Sequence, residues 1–160
     1  MLGIADFAAF CAATLVFLAL PGPGTFALLT STGKGGFRAG AAATMGIIAG
    51  DQVLRQFADV VRDQLRREDV FARYGGEEFC LLLPDVPGPG AVALAGRIRE
   101  TVAKSSFAVD AGHVALTLSA GVAARLDEGP EAIESLIARA DEALSIAKTR
   151  GRNRVAAISL

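Results

Sequence analysis

The chain is 160 residues long, which allows one ordinary domain or a small domain with an appended segment. Its 16 basic and 17 acidic residues nearly cancel, so it has neither the basic field that nucleic acid requires nor an acidic tail, and no nucleic-acid partner is expected. The charge is unevenly placed. Residues 1–50 hold only Asp6, Lys34 and Arg38, and the other 30 charges follow, so two different polymers are joined near Gly50.

Phe7 to Leu20 is uncharged and almost wholly apolar, and it ends at Pro21-Gly22-Pro23-Gly24. Thr25 to Leu29 is apolar again. The first run is short for a bilayer, which takes about 20 apolar residues. A spanning helix would therefore have to continue through the Pro-Gly break, as the broken helices of transporters do. This reading gives membrane contact through residues 4–30. The alternative is a helix buried in a soluble domain. A secretory signal fits poorly, because Asp6 stands where a positive charge belongs and no small-residue cleavage site follows. Lys34 and Arg38 would put their loop on the cytoplasmic side if the segment spans, and otherwise read as a basic pair on any exposed loop. Cys11 and Cys80 have no metal-ligand spacing to a second Cys or His and read as buried free thiols of a reducing compartment.

From Asp51 onward the periodicities are those of a soluble α/β domain. Val53, Leu54, Phe57, Val60, Val61 and Leu65 recur at helical spacing, predicting one amphipathic helix over Asp51 to Arg67. Val70 to Tyr74 and Phe79 to Leu83 are short strand-like runs around Gly75-Gly76, a hairpin. Pro84 to Gly90 reads as a loop, Ala91 to Lys104 as a helix and Val114 to Ala124 as a central strand. A last helix covers Pro130 to Lys148, stopped by Gly151, before a final strand from Arg154 to Ile158.

Arg73-Tyr74-Gly75-Gly76-Glu77-Glu78-Phe79 is the most informative stretch. Two glycines leave backbone bare for a phosphate, and two carboxylates follow that could hold a hard cation. If the strand is regular from Glu77, alternation sends Glu77 and Glu78 to opposite faces. Asp51 could cap the helix it opens. Lys148 and Arg152, four residues apart at a helix end, would share a face. Arg66 and Asp69 at i, i+3 are on their own a surface ion pair. His113 falls in a turn without a partner at catalytic spacing.

Two resemblances follow from these motifs. Leu20 to Thr25, Gly33 to Gly40 with its basic pair, and Ala41 to Gly50 resemble the amino terminus of lysine-exporter-like (LysE/RhtB) amino-acid efflux proteins. The further apolar spans of that family do not follow, so the resemblance implies no export. Residues 51–160 resemble the carboxy-terminal two-thirds of a GGDEF domain, the catalytic domain of diguanylate cyclases. The matching pieces are Gly50 to Leu54, Arg73 to Phe79, Leu83-Pro84-Asp85, Ala95 to Arg99, Thr117 to Val122, Ala140 to Leu144, and Ala147-Lys148 through Gly151-Arg152-Asn153. The chain reads as an exporter-like segment, 1–50, joined to a partial GGDEF domain, 51–160, an apparent chimera. The implied fold is an α/β (α+β) sandwich, a nucleotide-cyclase-like mixed sheet from residues 70–83, 107–124 and 153–158 with flanking helices. It is incomplete and preceded by an apolar helical segment.

The resemblance implies joining of two GTP molecules into cyclic di-GMP and pyrophosphate by a homodimer, with Mg2+ or Mn2+. Glu77 and Glu78 are the implied catalytic acids, Glu77 also a metal ligand. Asp51, Gly75, Gly76, Lys148 and Arg152 are the implied substrate contacts. Arg66, Asp69 and Arg97 match an inhibitory site that binds the product, cyclic di-GMP. The implied location is the bacterial cytoplasm for 51–160, with the inner membrane as an attachment through 1–50.

Counting back at the family's spacing puts Lys34 where the first metal-binding Asp belongs, Gly36 at the next acidic position, Ala42 at the guanine-binding Asn and Ile47 at the His. Only Gly46 and Gly50 match. The expectation is therefore a cyclase-class domain with impaired activity. The alternatives are a non-catalytic cyclic di-GMP-binding module or a fragment of an efflux membrane protein. The family's first strand has an apolar candidate in Phe26 to Thr30, within 26–32; otherwise the sheet keeps a vacant, exposed edge.

Overall fold

The computed structural model describes residues 13–19, 50–110, 112–125 and 132–158. The main sheet has five strands: β1 Ala13–Ala19, β2 Val70–Arg73, β3 Glu78–Pro84, β6 Ser119–Ala124 and β7 Val155–Ile158, in the order β2-β3-β1-β6-β7. A separate hairpin pairs β4 Ser106–Val109 with β5 Gly112–Ala115. Helix α1 includes residues 50–62, α2 is Gly88–Lys104 and α3 is Ile133–Thr149. This is the expected mixed sheet with flanking helices.

The sheet's centre corrects the expectation for the first fifty residues. Ala13–Ala19 is a strand, antiparallel to β3 on one side and to β6 on the other. An unbroken apolar run suits a strand buried on both faces as well as it suits a helix, and here two neighbouring strands satisfy its backbone. The sheet position for which 26–32 was the candidate is thus held by 13–19. Phe26 to Thr30, Pro21 to Gly24, Cys11, Lys34, Gly36, Ala42, Gly46 and Ile47 lie outside the described residues. Among the described residues no helix is long and apolar enough to cross a membrane.

Strand alternation sorts the core into two layers. Val16 and Leu18 of β1, Phe79, Leu81 and Leu83 of β3, and Ala120 and Val122 of β6 pack beneath Leu54, Phe57 and Val61 of α1 and Ala91, Ala95, Ile98 and Val102 of α2. Phe17 and Ala19, Leu82 and Ala123 turn to the opposite face and pack with Leu136, Ala140 and Leu144 of α3. A Cβ added at Gly121 would run into the backbone of α3 at Ala140 and Leu144. Glycine there lets α3 lie directly against β6, and this close approach sets where the end of α3 reaches the sheet.

Other boundaries shift for local reasons. Helix α1 stops at residue 62 instead of 67, because Gln64 and Leu65 donate to carbonyls only three residues back, at 3.0 and 3.1 Å, and the chain tightens into turns. Helix α2 starts at Gly88, with Pro87 as its N-cap and Pro89 in its first turn. The strand expected over Val114 to Ala124 is two strands: residues 112–115 belong to the separate hairpin and only Ser119–Ala124 enters the main sheet. His113 lies exposed in β5 instead of a turn.

Candidate functional site at the tip of the β2–β3 hairpin

The hairpin closes with the Tyr74 and Gly75 amides both donating to the Glu78 carbonyl, at 2.8 and 3.0 Å. Arg73 braces the tip from within. Its Nε donates to the carbonyls of Gly75 and Gly76 at 3.2 Å each, and its Nη2 donates to Gly76 at 2.6 Å. The same guanidinium stands 3.7 Å from the Asp51 carboxylate on α1, both side chains exposed. Asp51 lies inside α1, after Gly50, so its carboxylate faces the hairpin and does not cap the helix.

The fold does not require glycine at either tip position. Neither Gly75 nor Gly76 has a positive φ. A Cβ on Gly76 would meet nothing within 4 Å, and one on Gly75 would make ordinary contacts with the Glu78 side chain. What bare backbone leaves here is open approach from outside, as a bulky anionic ligand needs.

Glu77 is half-buried in the bend, and β3 begins only at Glu78. Glu78 shares its parity with Leu82 and so faces α3, where Lys148 meets it with Nζ 2.8 Å from Oε1. Both side chains of this ion pair are 37% exposed. On β1 the residue opposite Glu78 is Ala19, which in turn pairs with Ser119 on β6. Ala19 is only 4% exposed and faces the same side. Direct cross-strand neighbours stand about 5 Å apart at Cβ, so a methyl occupies the position from which a carboxylate could join Glu78.

The donors among the described residues do not make up a two-metal centre. Among the described residues no three His, Cys, Asp or Glu side chains converge. Residues 20–49 contain no Asp, Glu, His or Cys, whatever their placement. Hard divalent ions require several oxygen ligands, and of the two hairpin carboxylates Glu78 already holds an ammonium.

Arg152 does not share a helical face with Lys148, because α3 ends at Thr149. Gly151, Arg152 and Asn153 all have positive φ, 105°, 58° and 46°, and fold the chain back over the helix end. The Arg152 amide donates to the Ala147 carbonyl at 3.1 Å, and its side chain is exposed. Asn153 accepts from Arg99 Nη1 at 3.3 Å, which ties this turn to α2.

Arg66, Asp69 and Arg97 lie elsewhere and share one cavity of about 250 Å³, with Gln64 and Asp85 also in its wall. The Asp69 Oδ2 accepts from the Arg66 amide at 2.7 Å, so the pair is a backbone turn and its arginine side chain stays exposed. The Asp69 Oδ1 is buried without a hydrogen-bond partner. Arg97 donates to the Gln64 side chain and carbonyl, each at 3.4 Å. Gln64 carried no signal in the sequence, and Arg73 carried only its place at the start of the heptad.

Cys80 on β3 is half-buried, and burial pushes its thiol from 9.0 up to about 11. It is protonated near neutrality and unreactive.

Comparison with known proteins agrees with this geometry. The family model "Diguanylate cyclase, GGDEF domain" matches residues 41–154. Diguanylate cyclase A of Treponema denticola is 40% identical over 112 residues, 70% of this chain and 30% of that protein. Response regulator PleD of Caulobacter vibrioides is 44% identical over 114 residues, 70% of this chain and 25% of that protein. The chain thus spans less than a third of these curated relatives. Among solved structures, the GGDEF domain of DgcB from Caulobacter crescentus, in complex with c-di-GMP, superposes with a TM-score of 0.74 at 30% identity, covering 91% of this chain and 77% of that one. The active GGEEF domain of a diguanylate cyclase from Vibrio cholerae superposes with a TM-score of 0.72 at 27% identity, covering 98% and 94%. With the hairpin heptad, the sheet order and these similarities in agreement, the chain belongs to the GGDEF diguanylate cyclase family.

Proposed function

We propose that the chain is a diguanylate-cyclase-class domain that binds GTP at the Gly75-Gly76 hairpin and whose condensation of two GTP into cyclic di-GMP is impaired. Asp51, Lys148 and Arg152 are the guanine and triphosphate contacts in this reading, and Glu77 and Glu78 are the acids. The cyclisation needs two nucleotides face to face, hence two copies of the chain. The observation that carries the impairment is Ala19 beside Glu78, with Glu78 closed by Lys148. Removing a carboxylate from a site that must activate a hydroxyl and stabilise a leaving pyrophosphate costs several kcal/mol of transition-state stabilisation, about a thousandfold in rate or more. Residues 13–19 supply the sheet's central strand, and neither they nor residues 20–49 carry the acids that the family resemblance places there.

The test is cyclic di-GMP formation from GTP and Mg2+, followed chromatographically beside a Glu77→Ala control. The expected result is no product above the control. A clear product signal in the unaltered chain overturns the impairment.

A second reading has its own observation. The buried, unpartnered Asp69 Oδ1 beside Arg66 and Arg97 supports a cyclic di-GMP site, since an arginine can fork onto guanine O6 and N7. Calorimetry with cyclic di-GMP should give binding that Arg66→Ala weakens by about tenfold or more. No heat at high micromolar ligand removes this reading.

A further inference from the structure

One of the two hairpin carboxylates, Glu78, already has a cation. Lys148 Nζ stands 2.8 Å from Glu78 Oε1, on the side of the sheet where β1 places the Ala19 methyl directly opposite Glu78. A divalent ion at Glu78 would have to displace this ammonium or sit against its charge. It could draw no replacement ligand from residues 20–49, which have no Asp, Glu, His or Cys. An ammonium carries three donors in a compact charge, so one hydrogen bond to Glu78 leaves two for phosphate oxygens. The open side of Gly76 gives those oxygens room to approach.

We propose that Lys148 stands in for the divalent ion in this chain, so that a nucleoside triphosphate is bound at the hairpin without Mg2+ or Mn2+. The inference rests on the reading that this corner binds GTP, and it adds that metal is not part of that binding. Lys148 is held by Glu78 with its charge at the mouth of the hairpin, and Glu78 acts as a positioning residue for it instead of a metal ligand. Free GTP, with more negative charge than its magnesium complex, is then the preferred form.

Calorimetric titration of the full chain with GTP, once in EDTA and once in excess Mg2+, tests this together with Mn2+ electron paramagnetic resonance on the chain without nucleotide. The expected results are GTP binding in EDTA at least as tight as in Mg2+, and a free-Mn2+ signal unchanged by protein. Lys148→Met should weaken GTP binding in EDTA by about tenfold or more, with Lys148→Arg recovering part of the loss. Circular dichroism of both variants separates this from a folding defect, and if both unfold, the two titrations of the unaltered chain still decide. Mg2+ strengthening GTP binding by about tenfold or more, or stoichiometric loss of the Mn2+ signal, overturns the proposal and leaves the cyclase-class reading standing. No GTP binding in either buffer overturns both.

Discussion

The β2–β3 hairpin and strand β1 lie side by side, Ala19 against Glu78 and Ala13 against Pro84, and reach the same corner with opposite chemistry. The hairpin brings two carboxylates, a bracing arginine and bare backbone. At that corner the strand brings Phe17, Leu18 and Ala19, all buried and apolar. What the sheet needs from its centre is apolar bulk and two sets of backbone partners, and many sequences can supply that. What a metal centre needs from the same place is a particular carboxylate. The difference separates what the scaffold asks of this position from what a metal centre would ask of it.

The sharpest way to break the comparison is to remove the strand's contribution to the core. Phe17 is 1% exposed, packs with the α3 layer and meets Tyr74 edge-on at 5.0 Å between ring centroids. Phe17→Ala should cost about 3–5 kcal/mol in urea unfolding. A loss near zero would mean that residues 13–19 are not the central strand. Next in size, Gly121→Ala should cost about 1–3 kcal/mol, because α3 must move off β6 to admit the methyl. That movement carries Lys148 away from Glu78, so GTP binding should weaken along with stability. Unchanged stability would mean that α3 does not rest on that glycine.

The smallest effect is on the hairpin side, at Cys80. The folded chain holds the thiol proton more tightly than the unfolded chain, with the folded value at about 11 against 9.0. Stability should therefore be level below pH 9 and fall as pH rises from about 9 through about 11. Cys80→Ala should flatten that decline, measured as the urea midpoint against pH. At pH 8, peptide mapping should find Cys80 alkylated slowly by iodoacetamide, and fast modification would contradict the burial.

The two regions also differed in how far their residues announced them. The hairpin was legible because Gly-Gly, its flanking apolar runs and its acids all lie within a few residues, and turn chemistry is local. The helices were legible from their spacing, although α1 stopped early where Gln64 and Leu65 made shorter-range bonds. Strand β1 was not legible, since an unbroken apolar run satisfies helix and strand alike and the choice was made by β3 and β6, far along the chain. The same distance hid the Glu78–Lys148 pair, whose members are separated by 70 positions. Local patterns could name both residues but could not show that each would be the other's partner.

The position of β1 also dictates an order of events during synthesis. In the order β2-β3-β1-β6-β7 the earliest of the described strands is the one that joins β2 and β3 to β6 and β7. It can pair on both sides only after Ala124 has emerged, so it waits for a partner made long after it. Pairings so far apart in sequence close slowly. Until they close, an apolar strand and the two sheet edges that flank its slot are exposed together, which makes the nascent chain most prone to self-association before its centre is filled.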